Sequence, residues 1–434
     1  MKQLIKAYNL FFIFMCIIWS PFQIYILKVD GAGRSIVILS IIAILLNVFE
    51  FWKQKKLFTS SYFLCWVILL CYSMYNAFSK GFYAEFGTFK FLRDKFFDSF
   101  VLLVFMMLEL KKDKRTCLWV IWLALGSYLL IGLPSFSLNI EGRFNVEGIG
   151  NLYPLHAVCF LFVSCILYVE EKIKFGFLIV IALGIGVIIF LSGTRKAFGA
   201  EAILLLGAIL NNGKKRNFWA WLRIILLGVI LVFGINYIVN YTTLGERILR
   251  GTDKRLYVYL VDNQKLNDLI MLFLGDRAIQ YESAIELFHE NFWTGIGLTN
   301  FIYMDTSGRQ LVLHSEYMVQ LCENGIIGFT LLLIFYVLLI RSLIRNRKYM
   351  KRKIGMALFG LATVLFINFT SWTYCMKYIM VFYAILFVYA SSASNNDFNN
   401  DFIKKKSRKQ MQKEQMQQTL DCIFGPIPEK NDEI

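Results

Sequence analysis

Two arginines and one histidine are the residues whose types and surroundings could do chemistry. Arg195 closes the tetrad Ser192-Gly-Thr-Arg195 just beyond an apolar run, Arg277 opens a helically patterned stretch, and His314 stands immediately before the amphipathic lead-in to another apolar run. A guanidinium offers a planar fork that matches phosphate oxygens in pairs and keeps its charge at any ordinary pH. An imidazole titrating near neutrality takes a proton from a hydroxyl. Together these groups suit transfer of a group from a membrane-anchored phosphate or diphosphate to a hydroxyl acceptor. Gly295-Ile-Gly297 lacks the third glycine and the preceding strand of a dinucleotide site, so it reads as a tight turn that aims the following segment. No P-loop is present, which argues against ATP as energy source, and no carboxylate pair lies on an apolar helix to carry a proton. His289, beside Glu290 on a patterned helix, reads as structural.

The elements that must position these groups are apolar. The chain has 434 residues, 57% of them hydrophobic, and a mean hydropathy of +0.56, against about 45–50% apolar for soluble domains. Apolar runs fall at 8–27, 35–51, 57–78, 91–110, 116–133, 152–169, 175–191, 197–211, 217–240, 319–340, 354–371 and 377–393. These are about twelve spans of membrane-crossing length. Only helices satisfy their own backbone in lipid, and the runs are too long for barrel strands, so the expected fold is an all-α polytopic bundle. The short runs 175–191 and 197–211 also read as one broken hairpin.

The net charge is +16. In a soluble chain that would suggest nucleic acid, but no such motif is present, and the excess sits in the loops and tail, where it marks topology and anionic headgroups. With the N-terminus cytoplasmic, the inside loops carry Lys53, Lys55 and Lys56; Lys111, Lys112, Lys114 and Arg115; Lys172 and Lys174; Lys214, Lys215 and Arg216; and the basic run from Arg341 to Lys353. Both termini are then cytoplasmic. Residues 79–95, with Lys80, Lys90, Arg93 and Lys95, and the segment Ser192–Lys196 keep positive charge outside, where the rule disfavours it. An anionic ligand on that face and plain snorkelling both account for this. The expected organisation is 1–240 with nine spans, an extracytoplasmic catalytic loop at 241–318, three further spans at 319–393, and a disordered basic tail at 394–434. The loop is too long for a connector, and Arg277, Tyr281, Ala284 and Phe288 share one helical face within it. The nine cysteines show neither C-x-x-C nor metal-site spacing and read as apolar core. Cys322 and Cys375 both fall near the outer face.

The segment from residue 175 to 345 resembles the O-antigen ligase and polymerase family of bacterial membrane glycosyltransferases. The resemblance rests on Ser192-Gly-Thr-Arg195, Arg277, Gly295-Ile-Gly297, Phe301, His314-Ser315, Tyr317, Glu323 and Gly325-Ile-Ile-Gly328, in that order. Ser315 stands where the family usually has asparagine, Lys196 where glycine or arginine is common, and Phe292-Trp293 replaces the usual proline. The resemblance implies an inverting, metal-independent glycosyl transfer without cofactor, from undecaprenyl-diphosphate-linked oligosaccharide at the outer face of the bacterial plasma membrane. It implies Arg195 and Arg277 on the donor diphosphate and His314 as base toward the acceptor hydroxyl. Supporting roles fall to Lys196, Tyr281, Glu316, Glu323, Gly295 and Gly297, with Glu316 or Glu323 orienting the histidine. Expected partners are the lipid-linked oligosaccharide, the bilayer, a flippase and a chain-length regulator, and no nucleic acid. The Lys-, Asn-, Ile- and Phe-rich composition favours a capsule or exopolysaccharide repeat-unit polymerase over a ligase. A lipid-linked oligosaccharide flippase or solute carrier is the competing class; the halves show no internal repeat, and the large loop is one-sided, which weigh against it.

Overall fold

The computed structural model describes residues 2–28, 33–81, 97–138, 144–146, 152–192, 194–211, 276–298, 300–301, 303–304, 310–311, 313–371 and 376–391. The expected span at 217–240, the loop up to residue 275, Cys375 and the tail lie outside them.

The described chain is a helical bundle. Its helices are α1 (Lys2–Pro21), α2 (Gly33–Lys53), a single turn α3 (Lys55–Phe58), α4 (Ser61–Lys80), α5 (Asp98–Lys112), α6 (Lys114–Gly132), α7 (Leu152–Val169), α8 (Phe175–Ser192), α9 (Arg195–Leu210), α10 (Asp276–Glu290), α11 (Glu316–Asn346), α12 (Lys351–Thr370) and α13 (Lys377–Ser391). Two short antiparallel hairpins interrupt them: β1 (Phe136–Leu138) with β2 (Phe144–Val146), and β3 (Tyr303–Met304) with β4 (Gln310–Leu311). Among the described residues eight helical segments are long and apolar enough to cross a membrane: Lys2–Leu27, Ile36–Lys53, Ser61–Lys80, Lys114–Ser135, Leu152–Val169, Phe175–Ser192, Glu316–Asn346 and Lys351–Phe369. The shorter α5, α9 and α13 fall at three further expected spans. Runs 175–191 and 197–211 form two separate helices, α8 and α9, parted by two residues.

Burial follows the apolar pattern. Helices α7 and α13 are apolar all round and are buried along nearly their whole length, as expected for the centre of a bundle. Phe162 of α7 stacks on Phe382 of α13 with ring centroids 4.3 Å apart. In contrast, α2 turns Ile38, Ile41, Leu45, Phe49 and Trp52 outward; that wide apolar face suits lipid rather than water. Of the cysteines expected in the core, Cys71 is exposed on α4, whereas Cys16, Cys65, Cys117, Cys159, Cys165 and Cys322 are buried thiols.

Several polar residues in the bundle tie helices together. Asn9 donates to the Glu109 carboxylate at 2.7 Å and to Asn47 at 2.9 Å, which joins α1, α2 and α5. Asp113, the only residue between α5 and α6, caps α6 by accepting from the Thr116 amide at 3.2 Å.

Candidate functional site

The site lies at the end of the bundle where α4, α8 and α10 finish and α9 and α11 begin. Arg195 is the first residue of α9, and Arg277 is the second of α10; both side chains lie outside what is described. The turn before α9 is closed locally. Ser192 donates to the Ile189 carbonyl at 2.8 Å, its hydroxyl sits 3.0 Å from that of Thr194, and the Ala197 amide donates to the Thr194 carbonyl at 3.0 Å.

Helix α10 packs on α11. Its buried positions are Gln280, Ala284 and Phe288, with Tyr281 and Leu287 half-buried beside them. Tyr281, Ala284 and Phe288 thus face inward as the sequence pattern expects, and the stripe also includes the polar Gln280. Among the described residues the Gln280 Oε1 has no hydrogen-bond partner. His289 is exposed, and its ring lies tilted at 49° to that of Phe288 with centroids 5.7 Å apart.

After α10 the chain turns at Asn291–Gly297 and enters a break in α11. That helix carries one non-helical residue, Gly325, at φ 64° and ψ −169°. The Ile296 amide donates to the Cys322 carbonyl at 3.0 Å and the Gly297 amide to the Glu323 carbonyl at 2.9 Å. Across the break, the Ile326 amide donates to the Phe292 carbonyl at 2.9 Å. Backbone groups that the kink frees are therefore satisfied by the turn. Gly295 and Gly297 are also at positive φ, 68° and 96°. A Cβ on Gly295 would lie 2.5 Å from the Cys322 carbonyl oxygen, and one on Gly325 would lie 2.6 Å from the Gly295 nitrogen. The Gly-Ile-Gly turn aims the next segment as expected; the sequence reading did not foresee that Gly325 is its socket. The lead-in expected before residue 319 is the first part of a helix that starts at Glu316 and bends at that socket.

His314 is half-buried between β4 and α11. Ser315 and Glu316 are buried at the start of α11, where the Glu316 amide donates to the Ser371 carbonyl at 3.2 Å. Lys196 of α9 donates from Nζ to the Ser371 hydroxyl. Ser371, just past α12, thus joins the Ser-Gly-Thr-Arg-Lys element to the His-Ser-Glu element. From Glu316 a buried ladder runs down α11: Gln320 donates to the Glu316 carboxylate at 2.9 Å, and Asn324 donates to Gln320 at 2.9 Å. Steps of four residues keep these side chains on one face. Glu323 is buried too, but its carbonyl oxygen is what holds the turn.

The structure therefore brings Lys196, His314 and Glu316 to one junction and Gly295, Gly297 and Glu323 to another on the same helix; Tyr281 lies on the packed side of α10. Sequence reasoning missed Ser371, Gln320 and Asn324, whose side chains carry no motif. It also missed the amides and hydroxyls that α4 sends to the socket. His156, the remaining histidine, is buried in α7 and stacks on Tyr128 at 4.0 Å, with its Nδ1 on the Leu152 carbonyl.

Against known proteins, residues 177–333 match the family model described as O-antigen ligase. That stretch contains Arg195, Lys196, Arg277, Tyr281, Gly295, Gly297, His314, Glu316 and Glu323. A search of curated proteins finds no match. On this match residues 177–333 are similar to the O-antigen ligase domain, and the eight membrane-length apolar helices among the described residues make the chain a multi-pass membrane protein.

Proposed function

We propose that this protein is a membrane glycosyltransferase that joins undecaprenyl-diphosphate-linked oligosaccharide repeat units into capsular polysaccharide or exopolysaccharide. In this reading the site end of the bundle faces outward and the end carrying Lys53–Lys56, Lys111–Arg115 and Arg341–Lys353 faces the cytoplasm, by the distribution of basic loops. The acceptor sugar hydroxyl attacks the anomeric carbon of the donor with inversion. The carbon–oxygen bond to the diphosphate breaks, and the electron pair leaves with undecaprenyl diphosphate. His314 takes the hydroxyl proton. Arg195 and Arg277 stabilise the negative charge that grows on the leaving diphosphate, the place where fixed donors act most strongly; the guanidinium pair supplies the positive charge this step needs. Energy comes from the sugar–diphosphate bond, so the chain needs neither nucleotide nor cofactor.

The observation that supports this reading best is the Lys196–Ser371–Glu316 junction, which draws the element with Arg195 against the element with His314. Glu316 suits the histidine-orienting role better than Glu323. Seven residues of helix set them about 10 Å apart along α11, and the first is the one beside His314.

The test is purified protein in lipid nanodiscs, given one defined undecaprenyl-diphosphate repeat unit. A ladder of products supports a polymerase. Inertness until a separate acceptor is added makes the enzyme a ligase, and no turnover under either condition supports a carrier. In the same assay His314→Ala is expected to lower turnover by about 10²–10⁴-fold, the usual contribution of a general base, with membrane insertion unchanged. Normal ladders from H314A would remove the base assignment.

A further inference from the structure

We propose that Asn76 is the positioning residue of the site, a clamp that locks the Gly-Ile-Gly turn into the break in α11. Asn76 lies on α4, outside the stretch that matches the family, and is only 2% exposed. Its Nδ2 donates to the Thr294 carbonyl at 2.6 Å and to the Glu323 carbonyl at 2.8 Å. The first acceptor belongs to the turn and the second to the last helical turn before Gly325. One amide thus spans both sides of the joint. Backbone carbonyls only accept, so the orientation of the Asn76 amide is dictated by its surroundings.

The rest of that face of α4 serves the same joint. Tyr72 donates to the Asn324 carbonyl at 3.1 Å, and Ser73 accepts from the Asn324 amide at 3.2 Å. Asn300 donates to the Gly81 carbonyl at 3.0 Å. A Cβ on Gly297 would come within 2.6 Å of the Lys80 Cβ, so the lysine stem lies directly on the turn. Positions 72, 73, 76 and 80 recur at the helical period, which makes this face of α4 a seat for the turn. Because the turn follows α10, whose first turn carries Arg277, and α11 begins two residues after His314, the clamp sets the spacing between the donor-side and acceptor-side elements. Its effect on turnover rests on the function proposed above; the clamp itself does not.

The experiment compares wild type with Asn76→Ala, Asn76→Asp and the lipid-facing control Tyr75→Ala in nanodiscs. Amide hydrogen exchange at Ile296 and Gly297 reads the joint without substrate. It is expected to quicken about tenfold or more in N76A and N76D, as local opening becomes easier, and to stay at the wild-type rate in Y75A. Turnover per folded molecule is expected to fall by about 10²-fold, the cost of a displacement of about 1 Å, with the loss in kcat and the donor KM within about threefold. N76D recovers partly as pH falls, because a protonated carboxyl regains one donor. Unchanged exchange in N76A overturns the clamp, and quickened exchange with wild-type kcat overturns its positioning role. Quickened exchange in a protein whose wild type turns over no lipid-linked sugar leaves the clamp standing and removes the proposed function instead.

Discussion

The two ends of the bundle are held by different physics. At the basic end the fastenings are charges. Lys114 and Lys353 both reach the Glu170 carboxylate, to which Tyr389 also donates; Arg352 pairs with Glu171 at 2.8 Å, Lys6 with Asp113 at 2.6 Å, and Lys112 with Glu109 at 3.2 Å and Glu50 at 3.6 Å. All ion pairs between described residues lie there. Among the described residues, the fastenings at the site end are mostly hydrogen bonds and close packing: backbone amides in a helix break, the amides of Asn76, Gln320 and Asn324, and glycines that leave no room for a Cβ. There Lys196 donates to the Ser371 hydroxyl. Ion pairs tolerate small movements and are screened by salt. A glycine socket tolerates almost none. A loop that must be held at fixed height over lipid needs the second kind of fastening.

The contrast is broken most severely at Gly325. Its backbone, at φ 64° and ψ −169°, is in a region almost confined to glycine, and a Cβ would press on the turn. Gly325→Ala is expected to cost about 2–5 kcal/mol from strain and overpacking combined and to lower turnover by about 10²-fold or more. Thermal melting of purified protein together with the ladder assay reads both effects. A wild-type melting point in G325A would mean that α11 straightens without cost and that the turn is not socketed.

Arg277→Lys tests the charge proposed to meet the donor diphosphate. Lysine keeps the charge but loses the fork, so turnover is expected to fall about tenfold or more, while the melting point stays within about 1 °C because the substitution leaves the glycine joint intact. If lysine serves as well as arginine, paired contact with the donor diphosphate is wrong.

How much of this could be read beforehand follows the same division. Span positions were legible because lipid demands long apolar runs, and α1, α4, α7 and α11 fall where those runs fall. The Gly-Ile-Gly turn was legible as a turn because glycines two apart have few other uses. Its partner was not, because Gly325 belongs to Gly-Ile-Ile-Gly, which sits inside an apolar stretch that reads as unbroken helix. The inward face of α10 was legible at Tyr281, Ala284 and Phe288, but Gln280 was not, since a buried glutamine escapes a pattern built on hydrophobicity. Asn76 and Ser371 were invisible for a plainer reason: each lies more than 50 residues from the element it holds, and single polar residues in apolar helices announce no partner.

The smallest expected effect sharpens the comparison from the basic end. Pairing with Lys6, aided by the hydrogen bonds from Thr116, holds the Asp113 carboxyl at about 2 against an ordinary 3.8. Burial raises the Glu170 carboxyl, but Lys114 and Lys353 more than offset this and hold it below its usual value. Carboxyls lowered in the folded state add stability above their unfolded pKa and lose it as pH falls through the folded one. For Asp113 that window runs from about pH 4 down to about pH 2. The pair is partly exposed and screened by solvent, so its contribution is small. Lys6→Met is therefore expected to lower the melting point at pH 7 by about 2 °C or less, and the gap from wild type should narrow when melting is repeated at pH 3. A gap that instead stays constant with pH would show that the Lys6 stem, through packing on α6, and not the charge pair, is what joins α1 to the start of α6.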